Sequence, residues 1–356
     1  MSGKLKVGII GTGIIGKSHI SGYQSMNNDV DIVAIADINE VEAQQVAQEN
    51  DIPYVFSDYR ELLKMNEIDG VDICLPNFLH APVAIDALEA GKHVYCEKPM
   101  AKTGSEAQAM YDTAQRTGKN LSVQMGTIFS KETRTARRLI EEGALGRVYY
   151  VKTSHYRRRG RVYVDGYATP HFVQKEKSGG GTLVDMAVYH LARMVYLLDN
   201  PEIETVTAST FQELDMDEKR RQESGYDVEE LGTGFVRFKG NTTMFVEEAW
   251  AAHIDGGQGD RIMGARGGLK LQPFTFYTEM YGMDANTNFN IDAYEGRMKS
   301  LGHSIEGYEN SQKHFVWGVL NRIEMIDTGA IGLTVARITE AMYKSSQEKK
   351  EIDLRS

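Results

Sequence analysis

The chain has 356 residues, of which 41% are hydrophobic and 25% charged, and its 40 Lys and Arg against 50 Asp and Glu give a formal net charge of −10. At a typical ~150 residues per domain, this length predicts two globular domains, and the apolar fraction excludes a disordered chain, a fibrous repeat and a small disulfide-stapled scaffold. The acidic balance argues against nucleic acid as a partner, because proteins that bind a duplex usually present a basic surface.

Membrane insertion and secretion are not expected. No apolar run approaches the ~20 residues that cross a bilayer, and the first residues lead into a strand-like segment without a signal peptide. Cys74 and Cys96 both lie in apolar strand-like segments. This placement is typical of buried thiols in a reducing compartment, so we expect a cytoplasmic protein with no membrane partner.

Strands and helices alternate over the first part of the chain. Apolar strands are predicted at residues 7–10, 31–36, 71–75, 93–96 and 121–125, and helices up to 26 and at 40–50, 81–90 and 105–117. Strands that are apolar throughout and separated by helices indicate a parallel sheet covered on both faces. Right-handed crossovers then make residues 1–125 a doubly wound domain of the Rossmann type.

The pattern changes in the second part of the chain. Longer strands are predicted at 148–156, 206–211, 234–238 and 242–250, helices at about 182–198 and at 332–349, and a long polar loop at 283–307. Short turns between successive strands indicate an open, mostly antiparallel sheet, so residues 126–356 are predicted to form a second α/β domain. Because the helices are too few to cover both faces of this sheet, we expect a homo-oligomer, either a dimer or a tetramer.

A glycine-rich motif follows the first predicted strand: Gly11-Thr12-Gly13-Ile14-Ile15-Gly16. In a dinucleotide site Gly11 permits the tight turn, Gly13 lets the backbone approach a pyrophosphate, and Gly16 lets the helix pack against the sheet. The start of that helix, including Ile14 and Ile15, supplies amide donors and a positive dipole to the phosphates. The motif therefore predicts a nucleotide cofactor.

Asp37 ends the second predicted strand, 21 residues beyond Gly16. Its carboxylate can accept hydrogen bonds from ribose hydroxyls and repels a 2′-phosphate, and no Arg or Lys follows directly to bind that phosphate. The predicted cofactor is therefore NAD(H) and not NADP(H). Asp37 could also serve as the N-cap of the helix that begins near Asn39.

Two polar motifs follow later strands: Pro76-Asn77-Phe78-Leu79-His80 and Glu97-Lys98-Pro99. Both lie at the carboxyl ends of predicted parallel strands, where an open α/β sheet binds its ligand. A lysine at this edge can hydrogen-bond a substrate hydroxyl and stabilise alkoxide character as hydride leaves, and Glu97 could hold that lysine. We assign these residues to the cofactor side of a site: Pro76, Asn77, His80, Glu97 and Lys98.

Three glycines, Gly179 to Gly181, open the long predicted helix of the second domain, with Asp185 in its early turns. Tyr189 follows on nearly the same face, and His190 is rotated by a further ~100°. An Asp, a Tyr and a His within two turns can hold a polyol and move its hydroxyl proton. No spacing typical of metal ligands is present, and no metal is expected.

Taken together, these four motifs resemble the Gfo/Idh/MocA oxidoreductases, the family of glucose–fructose oxidoreductase and inositol 2-dehydrogenase. The resemblance covers nearly the whole chain, and Glu97-Lys98-Pro99 is its most specific element. It implies a Rossmann domain followed by a substrate-binding α/β domain with an open sheet, and a sugar, glycoside or cyclitol as substrate. Tyr189 stands where inositol dehydrogenases usually place a histidine. A tyrosine there looks more like the glucose–fructose oxidoreductase and dihydrodiol dehydrogenase branches.

The leading hypothesis is an NAD-dependent dehydrogenase that acts on a secondary hydroxyl of such a substrate. Two variants stay open: an enzyme that retains NAD(H) and couples oxidation of one sugar to reduction of a keto-sugar, and NAD-dependent redox-neutral cleavage of a glycosidic bond. A non-enzymatic NAD(H)-sensing protein is an alternative of another class, but a sensor has no need of Lys98 and Asp185.

For the proton transfer we predict that Lys98 and Tyr189 act as a pair, because a nearby ammonium group favours a phenolate. Asp185 would bind the substrate. His190 is the alternative base, since an imidazole is well matched to proton transfer near neutral pH. Two further histidines are candidates either for substrate contact or for a structural role: His303 and His314.

Overall fold

A computed structural model describes residues 3–302 and 305–355 of the chain. The chain divides into two compact units, the first made of residues 1–124 and 307–333 and the second of 125–306 and 334–356. No helix within the described ranges has both the length and the apolar character needed to cross a lipid bilayer.

The first unit is built on a parallel sheet. Its strands are β1 (Leu5–Ile10), β2 (Val30–Ala36), β3 (Tyr54–Phe56), β4 (Gly70–Ile73), β5 (His93–Cys96) and β6 (Leu121–Val123). The helices between them are α1 (Ile14–Gln24), α2 (Glu40–Glu49), α3 (Tyr59–Leu63), α4 (Asn77–Glu89) and α5 (Gly104–Thr117). The strand order β3-β2-β1-β4-β5-β6 confirms the predicted doubly wound sheet.

The second unit begins with elements that surround a long central strand. In chain order they are α6 (Lys131–Glu141), β7 (Val148–Tyr156), α7 (Lys175–Ser178), α8 (Thr182–Asp185), α9 (Ala187–Leu197), β8 (Ile203–Phe211), α10 (Glu218–Ser224), β9 (Leu231–Phe238) and β10 (Thr242–Ala249). They are followed by β11 (Arg261–Gly264), β12 (Gly267–Leu271), β13 (Phe274–Met280), β14 (Met283–Thr287) and α11 (Ile291–Ser300).

The last described elements are α12 (Ser311–Val319), α13 (Thr328–Glu348) and β15 (Ile352–Asp353). Strand β15 closes the second sheet, whose order is β14-β13-β12-β11-β7-β10-β9-β8-β15. Only the β7–β10 pair within this described sheet is parallel, which confirms the predicted open, mostly antiparallel arrangement.

Residues 307–333 lie in the first unit, although the predicted range of that domain was 1–125. The reason is apolar packing that a local pattern does not reveal. Phe315 of α12 is fully buried and stacks on Tyr95 of β5, with ring centroids 5.4 Å apart. The Thr328 hydroxyl also accepts a hydrogen bond of 2.9 Å from the backbone N–H of Val123 in β6.

Two predicted elements of the second unit were wrong. The expected loop at 283–307 contains β14 and α11, because an exposed edge strand paired only with β13 carries the polar side chains that are also typical of a loop. The expected single helix at 182–198 is interrupted at Met186, which separates α8 from α9. The backbone N–H of Tyr189 bonds the Met186 carbonyl at 3.3 Å, so a tighter turn joins the two helices.

Candidate active site

The glycine loop of the first unit has the backbone that the motif predicted. Gly11 has a φ of +99°, and a Cβ there would lie 2.4 Å from the Cys74 carbonyl oxygen. A Cβ on Gly16 would lie 2.0 Å from the carbonyl oxygen of Gly11, whereas one on Gly13 would meet nothing within 4 Å. The loop is therefore closely packed on the protein side and open at Gly13, which fits the approach of a pyrophosphate to the backbone.

Two apolar side chains follow the loop at the surface of the unit, since Ile14 is 85% and Ile15 48% exposed. Both belong to the first turn of α1, whose leading N–H groups have no partner within the helix itself. The predicted anion-binding end of this helix is therefore open to a ligand.

Asp37 is tied to the glycine loop. Its Oδ2 accepts hydrogen bonds from the backbone N–H and the hydroxyl of Thr12, at 2.7 and 3.0 Å, and its Oδ1 accepts the Asn39 N–H at 2.9 Å. The N-cap of α2 is Asn39, whose side chain accepts the N–H of Glu42. Asp37 is thus held at the end of β2 beside the loop that would carry the pyrophosphate, and the N-cap role belongs to its neighbour.

His80 joins the two polar motifs at the sheet edge. The side chain is fully buried, with Nδ1 2.7 Å from the Pro99 carbonyl oxygen and Nε2 2.7 Å from that of Leu75. Burial lowers the pKa of His80, although both carbonyl contacts act against that shift. His80 therefore positions the loops on either side of it, including Asn77 at the start of α4 and Lys98 before Pro99.

Glu97 is held by a histidine that sequence reasoning did not single out. His19 of α1 places Nε2 3.0 Å from Glu97 Oε1 and Nδ1 2.8 Å from Asp72 Oδ2, and the Cys74 thiol lies 3.3 Å from Nδ1. The other carboxylate oxygen of Glu97 accepts the backbone N–H of Lys98 at 3.1 Å. Burial would lower the pKa of His19, but the charge of Asp72 and the hydrogen bonds around the ring raise it well above its usual value.

In the second unit a buried carboxylate shapes the turn before Asp185. Glu229 accepts hydrogen bonds from the backbone N–H groups of Gly181 and Leu183, both at 2.9 Å, and from the Tyr343 hydroxyl at 2.8 Å. A Cβ on Gly180 would lie 1.9 Å from the Tyr343 oxygen, and one on Gly181 would lie 2.0 Å from the Glu229 carbonyl oxygen. The glycines are needed because Glu229 and Tyr343 lie against their backbone.

The predicted catalytic groups of the second unit lie at the junction of α8 and α9. Asp185 accepts a hydrogen bond of 3.0 Å from the indole N–H of Trp250, which directly follows β10. The carbonyl of Tyr189 accepts the Thr127 hydroxyl at 2.6 Å. His190 Nδ1 lies 2.8 Å from Oε1 of Glu248 in β10, so the end of one strand supports both an acid and an imidazole.

The ring of His190 also stacks on His155 of β7, with ring centroids 3.5 Å apart and 10° between the planes. His155 Nε2 lies 3.0 Å from Asp260 Oδ1, and Arg193 is paired with the other oxygen of Asp260. Burial would raise the pKa of Asp260, but His155 and the cationic neighbours lower it to about 2. The Asp260 carboxylate in turn raises the pKa of His155 against the effect of burial.

Comparison with protein families follows the division of the fold. Residues 5–125 match the model described as "Oxidoreductase family, NAD-binding Rossmann fold", and residues 133–270 match the "GFO/IDH/MocA C-terminal domain". The chain belongs to the Gfo/Idh/MocA oxidoreductase family. The predicted family, enzyme class and NAD cofactor are thereby confirmed.

Relatives of this Gfo/Idh/MocA oxidoreductase include named sugar dehydrogenases. D-glucoside 3-dehydrogenase of Escherichia coli is 29% identical over 99% of this chain and 98% of its own length. Levoglucosan dehydrogenase of Pseudarthrobacter phenanthrenivorans is 35% identical over 64% of this chain and 58% of its own. A solved structure of levoglucosan dehydrogenase with NADH and levoglucosan has a TM-score of 0.80 at 24% identity, covering 99% of this chain and all of that one, which shows a common fold.

Several residues that contact the predicted site groups were missed by sequence reasoning. His19 lies three residues beyond the last glycine of the motif, a spacing that could have drawn attention to it. Nothing local marked the other partners, because they come from distant strands or from the segments that lead into them: Glu229, Glu248, His155 and Asp260. His314 has a structural role, with Nδ1 2.6 Å from the Gly307 carbonyl oxygen and Nε2 accepting the Ile326 N–H at 2.8 Å, and His303 lies outside the described residues.

Proposed function

We propose that the protein is an NAD-dependent dehydrogenase that transfers hydride between a secondary hydroxyl of a sugar, glycoside or cyclitol and nicotinamide. The observation that carries the proposal is the set of Asp185, Tyr189 and His190 in the second unit of an NAD-binding oxidoreductase. Such groups can bind hydroxyls and take a proton from one of them. The similarity to D-glucoside 3-dehydrogenase and to levoglucosan dehydrogenase supports the substrate class.

The residues proposed to hold NAD are those of the glycine loop, Asp37 and the two polar motifs at the sheet edge. They are Gly11, Gly13, Ile14, Ile15, Gly16, Asp37, Pro76, Asn77, His80, Glu97 and Lys98. When bound, the nicotinamide supplies the hydride acceptor. The open space at Gly13 and the carboxylate of Asp37 fit a pyrophosphate and a ribose with free hydroxyls.

Asp37→Ala tests the cofactor assignment. The variant removes a charged hydrogen-bond acceptor and the repulsion of a 2′-phosphate, so we expect the affinity for NAD to fall about tenfold and the preference over NADP to narrow. The measurement is fluorescence titration of the wild type and the variant with both nucleotides. Tighter binding of NADP(H) than of NAD(H) by the wild type would show that the assignment is wrong.

The other roles in the reaction belong to side chains of the protein. Lys98 donates a hydrogen bond to the reacting hydroxyl and stabilises the negative charge that develops on its oxygen as the C–H bond breaks. Asp185, oriented by the Trp250 indole, binds the substrate. Tyr189 or His190 accepts the hydroxyl proton.

A screen of NAD reduction tests the function. The purified protein is mixed with NAD and with methyl glucosides, levoglucosan and myo-inositol, and NADH formation is followed by absorbance. We expect turnover with at least one of these compounds, and a loss of 10²- to 10⁴-fold in Lys98→Met while NAD still binds. Wild-type protein that binds NAD but oxidises no member of the panel would contradict the proposed substrate class.

Tyr189 favours a second candidate, the variant that retains its cofactor between turnovers, because this residue resembles the glucose–fructose oxidoreductase branch at that position. In this variant the same site oxidises one sugar and then reduces a keto-sugar. The test is the absorption spectrum of the purified protein after desalting. For this variant we expect the absorption band of reduced nicotinamide to survive desalting and to disappear when a keto-sugar is added. A spectrum without the band excludes the variant.

We further propose a cytoplasmic homo-oligomer, a dimer or a tetramer. Cys74 and Cys96 both lie within the described residues and are unpaired thiols, which supports a reducing compartment. The partly exposed side chains on one face of the second sheet support association with another copy of the chain.

A further inference from the structure

A pair of stacked histidines lies between the second sheet and α9, and the function proposed above does not explain its construction. We call His155 and His190 the histidine pair. Each ring has its own buried carboxylate, Asp260 for His155 and Glu248 for His190, at hydrogen-bond distances of 3.0 and 2.8 Å. Glu248 is fully buried, and its Oε2 has no hydrogen-bond partner among the described residues.

The contact with Glu248 selects one form of the His190 ring. An ionised carboxylate only accepts hydrogen bonds, so Nδ1 of His190 must be the donor. In the neutral ring the lone pair is then on Nε2, which has no partner within the described part of the chain. Because 15% of this side chain is exposed, Nε2 can be reached by a ligand and can accept a proton from it.

The second histidine fixes the orientation of the first. His155 faces Asp260, which is also paired with Arg193 of α9, and the Asp260 carboxylate favours the imidazolium form of His155. The two rings are stacked at a centroid distance of 3.5 Å with 10° between their planes, so His155 fixes the plane of the His190 ring. When His190 takes a proton, the negative charge of Glu248 stabilises the new imidazolium.

The end of β10 also holds the histidine pair close to the proposed substrate-binding carboxylate. Glu248 lies near the end of β10, and Trp250 directly follows that strand. Glu248 holds His190 and Trp250 holds Asp185. The His190 ring on α9 and the Asp185 carboxylate on α8 are therefore both held by the end of β10 and the residue that follows it.

We propose that Glu248 and the His155–Asp260 pair are positioning residues that make His190, and not Tyr189, the acceptor of the substrate hydroxyl proton. The inference rests on the proposed function. In the step, the O–H bond breaks and its proton moves to Nε2 of His190, the C–H electron pair leaves as hydride to NAD⁺, and the alcohol becomes a ketone. The imidazolium then releases its proton to solvent.

Activity measurements over a range of pH test the roles. We expect His190→Asn to lower kcat by 10²- to 10⁴-fold and Tyr189→Phe by less than tenfold. Glu248→Gln should lower kcat at least tenfold and move the acid limb of the kcat/KM profile to lower pH, with the KM for NAD unchanged. A merely structural role would leave that limb in place.

Glu247→Gln is the matched control, since Glu247 precedes Glu248 on β10, points to the other face and pairs with Lys152 at 3.0 Å. We expect its rate and pH profile to equal those of the wild type. If Glu248→Gln and Glu247→Gln give the same profile, or if Tyr189→Phe loses more activity than His190→Asn, the proposal is overturned.

A measurement on the unmodified protein needs no substrate and does not depend on whether a variant folds. Protein labelled with ¹⁵N-histidine is compared with His190→Asn by NMR to assign the His190 signals. We expect Nδ1 to carry the proton of the neutral ring and Nε2 to be unprotonated. A neutral ring protonated at Nε2 would overturn the inference, whereas the expected ring form in a protein that oxidises no glycoside would count against the proposed function alone.

Discussion

At the residue scale, the glycines of the nucleotide loop have separable roles. Gly16 is required by the fold, because its missing Cβ makes room for the Gly11 carbonyl oxygen 2.0 Å from where that atom would lie. Gly13 borders open space, so the fold alone would tolerate a side chain there. A sequence motif that looks uniform therefore contains one position for packing and another for the ligand.

Alanine substitutions distinguish these two positions. Gly13→Ala should leave the free energy of unfolding within ~0.5 kcal/mol of the wild type and weaken NAD binding at least tenfold, because the methyl group occupies the approach to the backbone. Gly16→Ala should lower the free energy of unfolding by ~1–3 kcal/mol, because the new methyl group clashes with backbone atoms. Urea unfolding and NAD titration measure the two effects, and equal stability losses in both variants would contradict the assignment.

His19 predicts a pH dependence of stability. The pKa of His19 in the folded protein lies above that of a histidine in the unfolded chain. Its contribution to the free energy of unfolding is therefore fully present below pH ~6.5 and is lost as the pH rises toward the pKa of His19 in the folded protein. Relative to His19→Asn, the wild type should lose about 1.4 kcal/mol of unfolding free energy per pH unit above that point.

Urea unfolding at pH 6.5, 7.5 and 8.5 measures this slope. His171→Asn is the control, because His171 is exposed. The free energy of unfolding of this variant should vary with pH in parallel with that of the wild type. A curve for His19→Asn that also runs parallel to the wild type would show that His19 is not held as a cation.

At the element scale, the first turn of α8 depends on a carboxylate from a distant part of the chain. Glu229 lies two residues before β9. Its carboxylate nevertheless accepts hydrogen bonds from two backbone N–H groups at the start of α8 and from the hydroxyl of Tyr343 in α13. Burial raises the pKa of Glu229, and these three donors oppose that shift. The segment before β9, the start of α8 and α13 thus meet at the turn that presents Asp185.

Substitution of Glu229 tests this arrangement. Glu229→Gln places an amide donor against a backbone N–H, so we expect a loss of ~1–3 kcal/mol in the free energy of unfolding, and Tyr343→Phe should lose ~1 kcal/mol. Glu218→Gln in the exposed α10 is the control and should change stability by no more than ~0.5 kcal/mol. Thermal or urea unfolding gives the comparison, and a neutral Glu229→Gln would show that the turn does not need the carboxylate.

At the scale of the whole molecule, one face of the second sheet exposes large apolar side chains on β11 and β13. Met263 of β11, Gly268 of β12 and Tyr277 of β13 are register neighbours, so they share that face. Met263 is 39% and Tyr277 42% exposed. Large exposed apolar side chains in register are typical of a surface that another copy covers.

We therefore expect a homo-oligomer in solution, and Tyr277→Asp should weaken it because a charge would be buried at the contact. Multi-angle light scattering at micromolar concentration measures the mass. Tyr281→Asp, in the exposed turn between β13 and β14, is the control and should leave the mass unchanged. A wild-type mass of 39.8 kDa, that of one chain, would contradict the prediction.

The sequence by itself determined the parallel sheet of the first unit, the glycine loop, the acidic residue after β2 and the family. These features are local, because a buried strand, a tight turn and a strand-end motif each depend on residues close together in the chain. The antiparallel character of the second sheet also followed from short turns between strands. The sequence did not reveal β14 and α11 at the polar edge of this sheet, since exposed strands and helices have the same polar composition as a loop.

Only the tertiary structure decided what surrounds the predicted side chains. The sequence favoured Tyr189 slightly, with His190 as the alternative base. Glu248 and His155, which contact the His190 ring, come from strands β10 and β7, which pair in parallel although 85 residues separate them in the chain. His19 likewise gains Asp72 from β4 and Glu97 from the residue that follows β5. The ring form and charge of a histidine depend on such partners, and sheet pairing brings them together across distances in sequence that no local pattern records.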